Sequence, residues 1–143
     1  MRGEMIMSIA VKYQNRIKQD LEQNERIIDV VAGRTAPTTW VMKLLPEISW
    51  LTKENMPMLW AITNQRLLVY KQQINSEIQL SIGIHRSDIV ECKEANGVLN
   101  GAIQITLKDN QSFKFVFKKE RVQNILTEIN MYKRYRHLYV TRP

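Results

Sequence analysis

Alternating apolar positions in the middle of the chain predict a β-hairpin. Residues 59–70 form two apolar runs separated by the polar pair Asn64-Gln65. Both faces of each run are apolar, which is typical of strands that are buried on both sides. Asn tolerates the left-handed backbone of a tight turn. We therefore place the turn at this pair and the hairpin at the centre of the core.

Five further segments have the composition and spacing of strands. They are residues 26–32, 77–82, 89–95, 101–108 and 112–118. The first two are each followed by a glycine, Gly33 and Gly83, at which we expect the strand to end. The last two alternate with a strict period of two, which predicts an antiparallel sheet with one buried face and one solvated face.

Helical periodicity appears at both ends of the chain. Apolar residues recur every three or four positions within 1–24, which predicts an N-terminal amphipathic helix. The same spacing in 119–135 predicts a C-terminal helix, whose apolar positions are Val122, Ile125, Leu126, Ile129 and Tyr132. Residues 136–143 lose the pattern and are expected to fray as a basic tail. The domain itself is assigned to residues 25–135.

The connection between the first two strands is long and rich in large apolar residues. It contains Trp40, Leu44 and Trp50, and its spacing predicts one short helix near 46–53. Large aromatic side chains most often serve packing, so this segment is expected to close an open end of the core. The alternative is an exposed apolar patch that binds a partner protein or a membrane surface.

Composition and charge narrow the classes of function. The chain has 143 residues, a net charge of +7 and a single cysteine, so it forms no internal disulfide and suits a reducing compartment. No signal peptide or membrane-spanning segment is expected from the sequence. Residues 108–143 carry 9 Lys and Arg against 3 Asp and Glu. A basic end of this kind favours phosphate, anionic lipid or acidic protein.

Catalytic and metal-binding patterns are lacking in the sequence. His85 and His137 are far apart and have no carboxylates at ligand spacing, and Cys92 is a lone cysteine in a predicted strand. The known catalytic and nucleotide-binding motifs do not occur. Thr63 and Arg66 are interpreted as structural, because a hydroxyl can bond backbone at a turn and an Arg can pair with a carboxylate on a neighbouring strand. We expect no enzyme activity, no cofactor and no metal.

Three segments together resemble the pleckstrin-homology-like (PH-like) fold, specifically the bacterial PH-like domains of the YokE-like type. They are 21–28 (LEQNERII), 59–70 (LWAITNQRLLVY) and 82–90 (IGIHRSDIV), and the resemblance covers residues 21–134. It implies a mainly β fold with flanking helices: a seven-stranded, partly open antiparallel barrel capped by the C-terminal helix. The N-terminal helix is an addition to that fold.

The resemblance implies a binding or scaffolding module rather than an enzyme. In eukaryotic PH domains that hold phosphoinositides, cations converge from the first hairpin loop, where this chain offers Arg34 and Lys43. The leading hypothesis is protein binding through a sheet edge or through residues 40–51. The alternative is attachment to anionic membranes through basic residues that include Lys133, Arg134 and Arg136, and nucleic-acid binding ranks third. The expected location is the cytoplasm or the inner face of its membrane.

Overall fold

The described part of the chain folds into seven strands and two helices. A computed structural model describes residues 12–37, 49–95 and 101–140, with 131–140 as backbone only. The strands are β1 (Ile27–Ala36), β2 (Pro57–Thr63), β3 (Arg66–Gln72), β4 (Ile78–His85), β5 (Ile89–Glu94), β6 (Gly101–Leu107) and β7 (Ser112–Phe117). Helix α1 covers residues 12–18 and α2 covers Lys119–Val140, and two 3-10 turns cover Ser49–Thr52 and Arg86–Asp88.

All seven strands belong to one antiparallel sheet. Its order is β4-β3-β2-β1-β7-β6-β5, so β4 and β5 are the two ends and do not pair with each other. The ladder between β1 and β7 joins the first four strands to the last three. One face of the whole sheet encloses a single apolar cluster, which requires the sheet to curl around it. The predicted partly open, helix-capped barrel is confirmed.

Helix α2 closes one end of this barrel with its apolar face. Val122, Ile125 and Ile129 are at most 2% exposed and belong to the interior cluster. Trp60 lies at the centre, with its ring edge-to-face at 4.8 Å from Phe115 and at 4.7 Å from Phe117. The backbone of α2 stays helical beyond the predicted end at residue 135. That prediction was wrong because neither glycine nor proline occurs before Val140 to stop the helix.

A second apolar cluster covers the outer face of the central hairpin. Tyr13 and Ile17 of α1 pack there against Leu59, Leu68 and Tyr70. This layer explains why β2 and β3 are apolar on both faces. Within the predicted helix of 1–24, the structure has a helix over 12–18 that is followed by a turn, and residues 1–11 lie outside the described part of the chain.

The two glycines expected to end strands lie inside them instead. A Cβ atom on Gly33 would come within 2.7 Å of the Phe117 ring, and one on Gly83 would come within 2.8 Å of Arg66 Nη1. Each glycine therefore allows a close approach within the sheet and does not terminate the strand. β1 and β4 continue past them for three and two residues, to Ala36 and His85.

A β-bulge in β4 sends its apolar side chains to opposite faces. The register with β3 shifts between the pairs Val69–Ile82 and Tyr70–Leu80. Ile78 and Leu80 pack on the outer cluster, whereas Ile82 and Ile84 pack on the barrel interior. An extra residue reverses the alternation that a period of two would maintain.

Candidate functional site

Thr63, the last residue of β2, joins the central hairpin to two other segments. Its hydroxyl donates to Glu25 Oε2 at 2.6 Å and accepts from the backbone N–H of Arg66 at 2.8 Å. Its carbonyl oxygen accepts two hydrogen bonds from the Arg86 guanidinium, at 2.9 and 2.7 Å. The hydroxyl bond to backbone at the turn agrees with the structural interpretation of this threonine.

Arg66 forms a bidentate ion pair with Glu25 beneath the hairpin. Arg66 Nε donates to Glu25 Oε2 at 3.0 Å and Nη2 donates to Oε1 at 2.8 Å. Burial alone raises the pKa of the Glu25 carboxyl, but the hydrogen bonds from Arg66 and Thr63 outweigh that effect and leave the pKa below its ordinary value. The predicted carboxylate partner lies in the turn before β1 and not on a neighbouring strand, so its identity was missed.

Arg86 fixes the corner between β4 and β5. It is 4% exposed, and besides Thr63 it donates from Nη1 to the carbonyl oxygen of Ile129 in α2, at 2.9 Å. The corner is thereby tied to both the hairpin and the capping helix. Sequence reasoning missed this residue, because an arginine in a short polar turn resembles any solvated surface cation.

The two ends of the sheet differ in how they are protected. β5 has six residues, three of them charged, and Asn130 of α2 donates to the Cys92 carbonyl oxygen at 3.4 Å. β4 has eight residues, none of them Lys, Arg, Asp, Glu or Pro, and among the described strands it is hydrogen-bonded to β3 alone. Natural sheets usually protect an edge with charges, proline or a covering segment, so β4 is the less protected end.

A cleft of about 300 Å³ adjoins the second half of β4. Its apolar lining comes from Ile82, Ile84 and Leu107. The turn after β4 contributes Asp88, and the turn after β6 contributes Lys108 and Asp109. The backbone N–H of Lys108 donates to the carbonyl oxygen of Asp88 at 3.0 Å, which holds the two turns together.

Trp50 lies in the core. It is 5% exposed, and its indole N–H donates to Ser81 Oγ at 2.9 Å. This position fits packing and leaves little of the ring for a partner. The predicted short helix appears as the 3-10 turn Ser49–Thr52. Trp40, Leu44 and Lys43, the other candidates in this connection, lie outside the described residues.

Basic and apolar side chains share the surface beside β1 and the β3–β4 turn. Arg34 and Lys118 are exposed and line one shallow cleft, together with Gln72. The neighbouring cleft, of about 750 Å³, is lined by Lys71 and by Ile74, whose side chain is fully exposed. The C-terminal candidates Lys133, Arg134 and Arg136 belong to α2, but their side chains are outside the described part of the structure.

A carboxyl pair lies where α2 meets β1. Burial and the adjacent Asp29 raise the pKa of Glu128 to about 7. Arg121 donates to Asp29 Oδ2 at 2.7 Å, which joins α2 to β1 beside this pair. Two carboxyl groups in contact cannot both ionise freely, so Glu128 retains its proton well above the usual pH range.

Cys92 is buried and is not part of a disulfide, and its inert role stays a prediction. Among the described residues no group of three or more His, Cys, Asp and Glu side chains could hold a metal ion. Over the same residues no helix is long and apolar enough to span a membrane.

A curled antiparallel sheet capped by a C-terminal helix defines a PH-like domain. The chain belongs to the bacterial PH domain family, which matches residues 21–131. Members of this class are binding and scaffolding modules, and that description applies to this protein. The YokE-like subtype stays a prediction.

Two solved structures are similar in fold. The hSac2 domain from human phosphoinositide phosphatase Sac2 has a TM-score of 0.61 and 10% identity, over 89% of this chain and 82% of that chain. The C-terminal domain of an unknown protein from Leishmania infantum has a TM-score of 0.52 and 11% identity, over 90% and 97%. At these identities the likeness concerns the fold alone. No curated protein matches the sequence.

Replacement of Glu25 by Ala tests the ion pair under the hairpin. The change leaves the Arg66 guanidinium buried without its main carboxylate, which costs about 3–5 kcal/mol. Urea unfolding followed by Trp fluorescence measures the loss. Glu22 is the matched control, because its carboxylate lies 3.6 Å from Arg66 Nη1 and is half exposed. An equal effect of Glu22→Ala and Glu25→Ala would contradict this assignment.

Replacement of Glu128 by Gln tests the carboxyl pair through the pH dependence of stability. The folded pKa lies above the unfolded value, so the contribution of Glu128 is complete below about pH 4.5 and is lost as the pH rises through about 7. The slope cannot exceed about 1.4 kcal/mol per pH unit. Denaturation at several pH values should show a flatter profile for Glu128→Gln, and Glu120→Gln, an exposed site in the same helix, should leave the profile unchanged.

Proposed function

We propose that this protein is a non-enzymatic module that binds a partner protein by accepting an extended segment of it as an additional strand on β4. The observation that carries the proposal is the free edge of β4, eight residues long and without charge or proline. Addition of a strand satisfies backbone donors and acceptors along such an edge, and alternate side chains then supply specificity. The expected cytoplasmic location is part of the same proposal.

The rigidity of the β4 edge supports this mode of binding. The ladder to β3 runs along the whole strand, and it is extended by the Arg86 N–H, which donates to the Gln65 carbonyl oxygen at 3.1 Å. The bulge is fixed from the interior by the hydrogen bond between Trp50 and Ser81. An edge that is already ordered loses little conformational entropy on binding.

Peripheral binding to anionic membranes is the second candidate function. It is supported by the exposed Ile74 side chain beside Lys71 and by the nearby pair Arg34 and Lys118. An apolar tip among cations suits the interface of an anionic bilayer. The basic end of α2 would add to the same attraction.

Replacement of His85 by Pro tests the β4 edge. The backbone φ of His85 is −64°, which proline adopts without strain. The N–H of Arg86 points to β3, so the N–H of His85, one residue earlier, points away from β3. Proline at position 85 removes this outward donor. Peptides of roughly ten residues, enough to span the strand, are selected from a display library on the full-length protein. Their binding is then measured by calorimetry.

We expect His85→Pro to lower the affinity for these peptides about tenfold, because one carbonyl group of the peptide loses its hydrogen-bond donor. His85→Ala, which keeps the N–H, is the matched control and should bind as the parent does. Bound peptide should also slow hydrogen exchange of the β4 amides that face away from β3. Equal affinity for the proline variant, or protection that appears elsewhere, would overturn the β4 proposal.

Co-sedimentation with vesicles tests the second candidate. Phosphatidylcholine vesicles with and without phosphatidylserine separate electrostatic attachment from apolar insertion. Replacement of both Arg34 and Lys118 by Gln should lower the partition coefficient roughly 30-fold, because each cation contributes about 1 kcal/mol to binding of an anionic membrane. Neutralising Lys133, Arg134 and Arg136 tests the C-terminal residues separately, and Lys12→Gln serves as the control. No sedimentation at any ionic strength would rule this candidate out.

A further inference from the structure

The cleft beside β4 indicates which side chain a bound strand carries. We propose that the segment added to β4 places a Lys or Arg side chain in this cleft, with its charge between Asp88 and Asp109. The inference rests on the proposed function, since it describes the chemistry of the partner at that same edge.

The position of the cleft follows from the strand order. It lies between the second half of β4 and the β6–β7 turn, where the sheet fails to close. A strand paired with β4 would run along this opening and direct alternate side chains toward the barrel interior. A partner residue opposite Ile82 or Ile84 would direct its side chain into the cleft, because directly paired residues share a face of the sheet and these two isoleucines line the cleft.

The lining of the cleft fits a long side chain with a cationic end. Ile82, Ile84 and Leu107 offer apolar surface to a methylene stem, and the exposed Asp88 and Asp109 offer carboxylates at the rim. Lys and Arg bury their stems in this manner and keep the charged group near water. Lys108 offsets one of the two carboxylates, so the rim keeps an acidic balance in a protein whose net charge is +7.

Charge complementarity also favours a different protein over a second copy of this chain. β4 contains neither Lys nor Arg. If β4 paired with β4 of a second copy, the added strand would therefore bring no Lys or Arg side chain into the cleft. A partner segment with alternating apolar residues and one basic residue matches both the edge and the cleft.

The test uses peptides selected on the full-length protein, each compared with a version in which its basic residue is Gln. The double variant Asp88→Asn with Asp109→Asn should bind the basic peptide roughly three- to tenfold more weakly, as expected for two partly exposed charge pairs. It should bind the Gln version as the parent does. Asp109 Oδ1 accepts a hydrogen bond from the Gln111 N–H at 3.1 Å. The side-chain oxygen of Asn can accept the same bond, so the substitution retains the turn.

Glu77→Gln is the matched control, because this exposed acid lies just before β4, at the end of the edge remote from the cleft.

Selected peptides without a basic position, or an unchanged affinity of the double variant, would overturn this inference. If His85→Pro still weakened binding in that case, the β4 proposal would stand. Failure of His85→Pro to weaken binding would overturn both. Self-association through β4 in place of peptide binding would identify a second copy as the occupant and would also overturn the inference.

Discussion

The structure depends on the hydrogen bonds that meet at Thr63. Its hydroxyl binds the carboxylate of Glu25, and its carbonyl oxygen binds the guanidinium of Arg86. Arg66 completes the junction through its paired bonds to Glu25. Because burial of an unpaired charge costs several kcal/mol, removal of one partner from this junction is expected to destabilise the fold strongly. One threonine therefore couples the turn before β1, the central hairpin, the β4–β5 corner and α2.

This junction determines where the sheet is closed and where it stays open. Arg86 bonds to Ile129 of α2, so the corner after β4 is held against the capping helix. β5 leaves that corner along α2, which contacts it through Asn130, while none of the other described strands pairs with the outer edge of β4. The outer edge of β4 and the cleft beside it thus follow from the way a seven-stranded sheet curls around its apolar core without closing between β4 and β5.

Some of the site could be predicted, and the misses have identifiable causes. Thr63 and Arg66 were recognised as structural because their residue types suit a turn and the start of a strand. Glu25 and Arg86 were missed because their partners lie 38 and 23 positions away from them at Thr63. The prediction that strands end at Gly33 and Gly83 was wrong, since a sequence does not distinguish a glycine that stops a strand from one that admits a neighbouring side chain. Trp50 had two open interpretations, and the hydrogen bond to Ser81 fits the packing one.

The sequence by itself determined the strands and helices, the double-sided burial of the hairpin, and the face of α2 that enters the barrel, because hydrophobic periodicity reports which positions avoid water. Only the tertiary structure decided which strands pair, which edge remains free and which charges meet. The bulge in β4 shows the reason: one inserted residue moves Ile82 and Ile84 to the opposite face from Ile78 and Leu80. All four positions look alike in the sequence, and their separation arises from long-range register with β3, which local patterns do not encode.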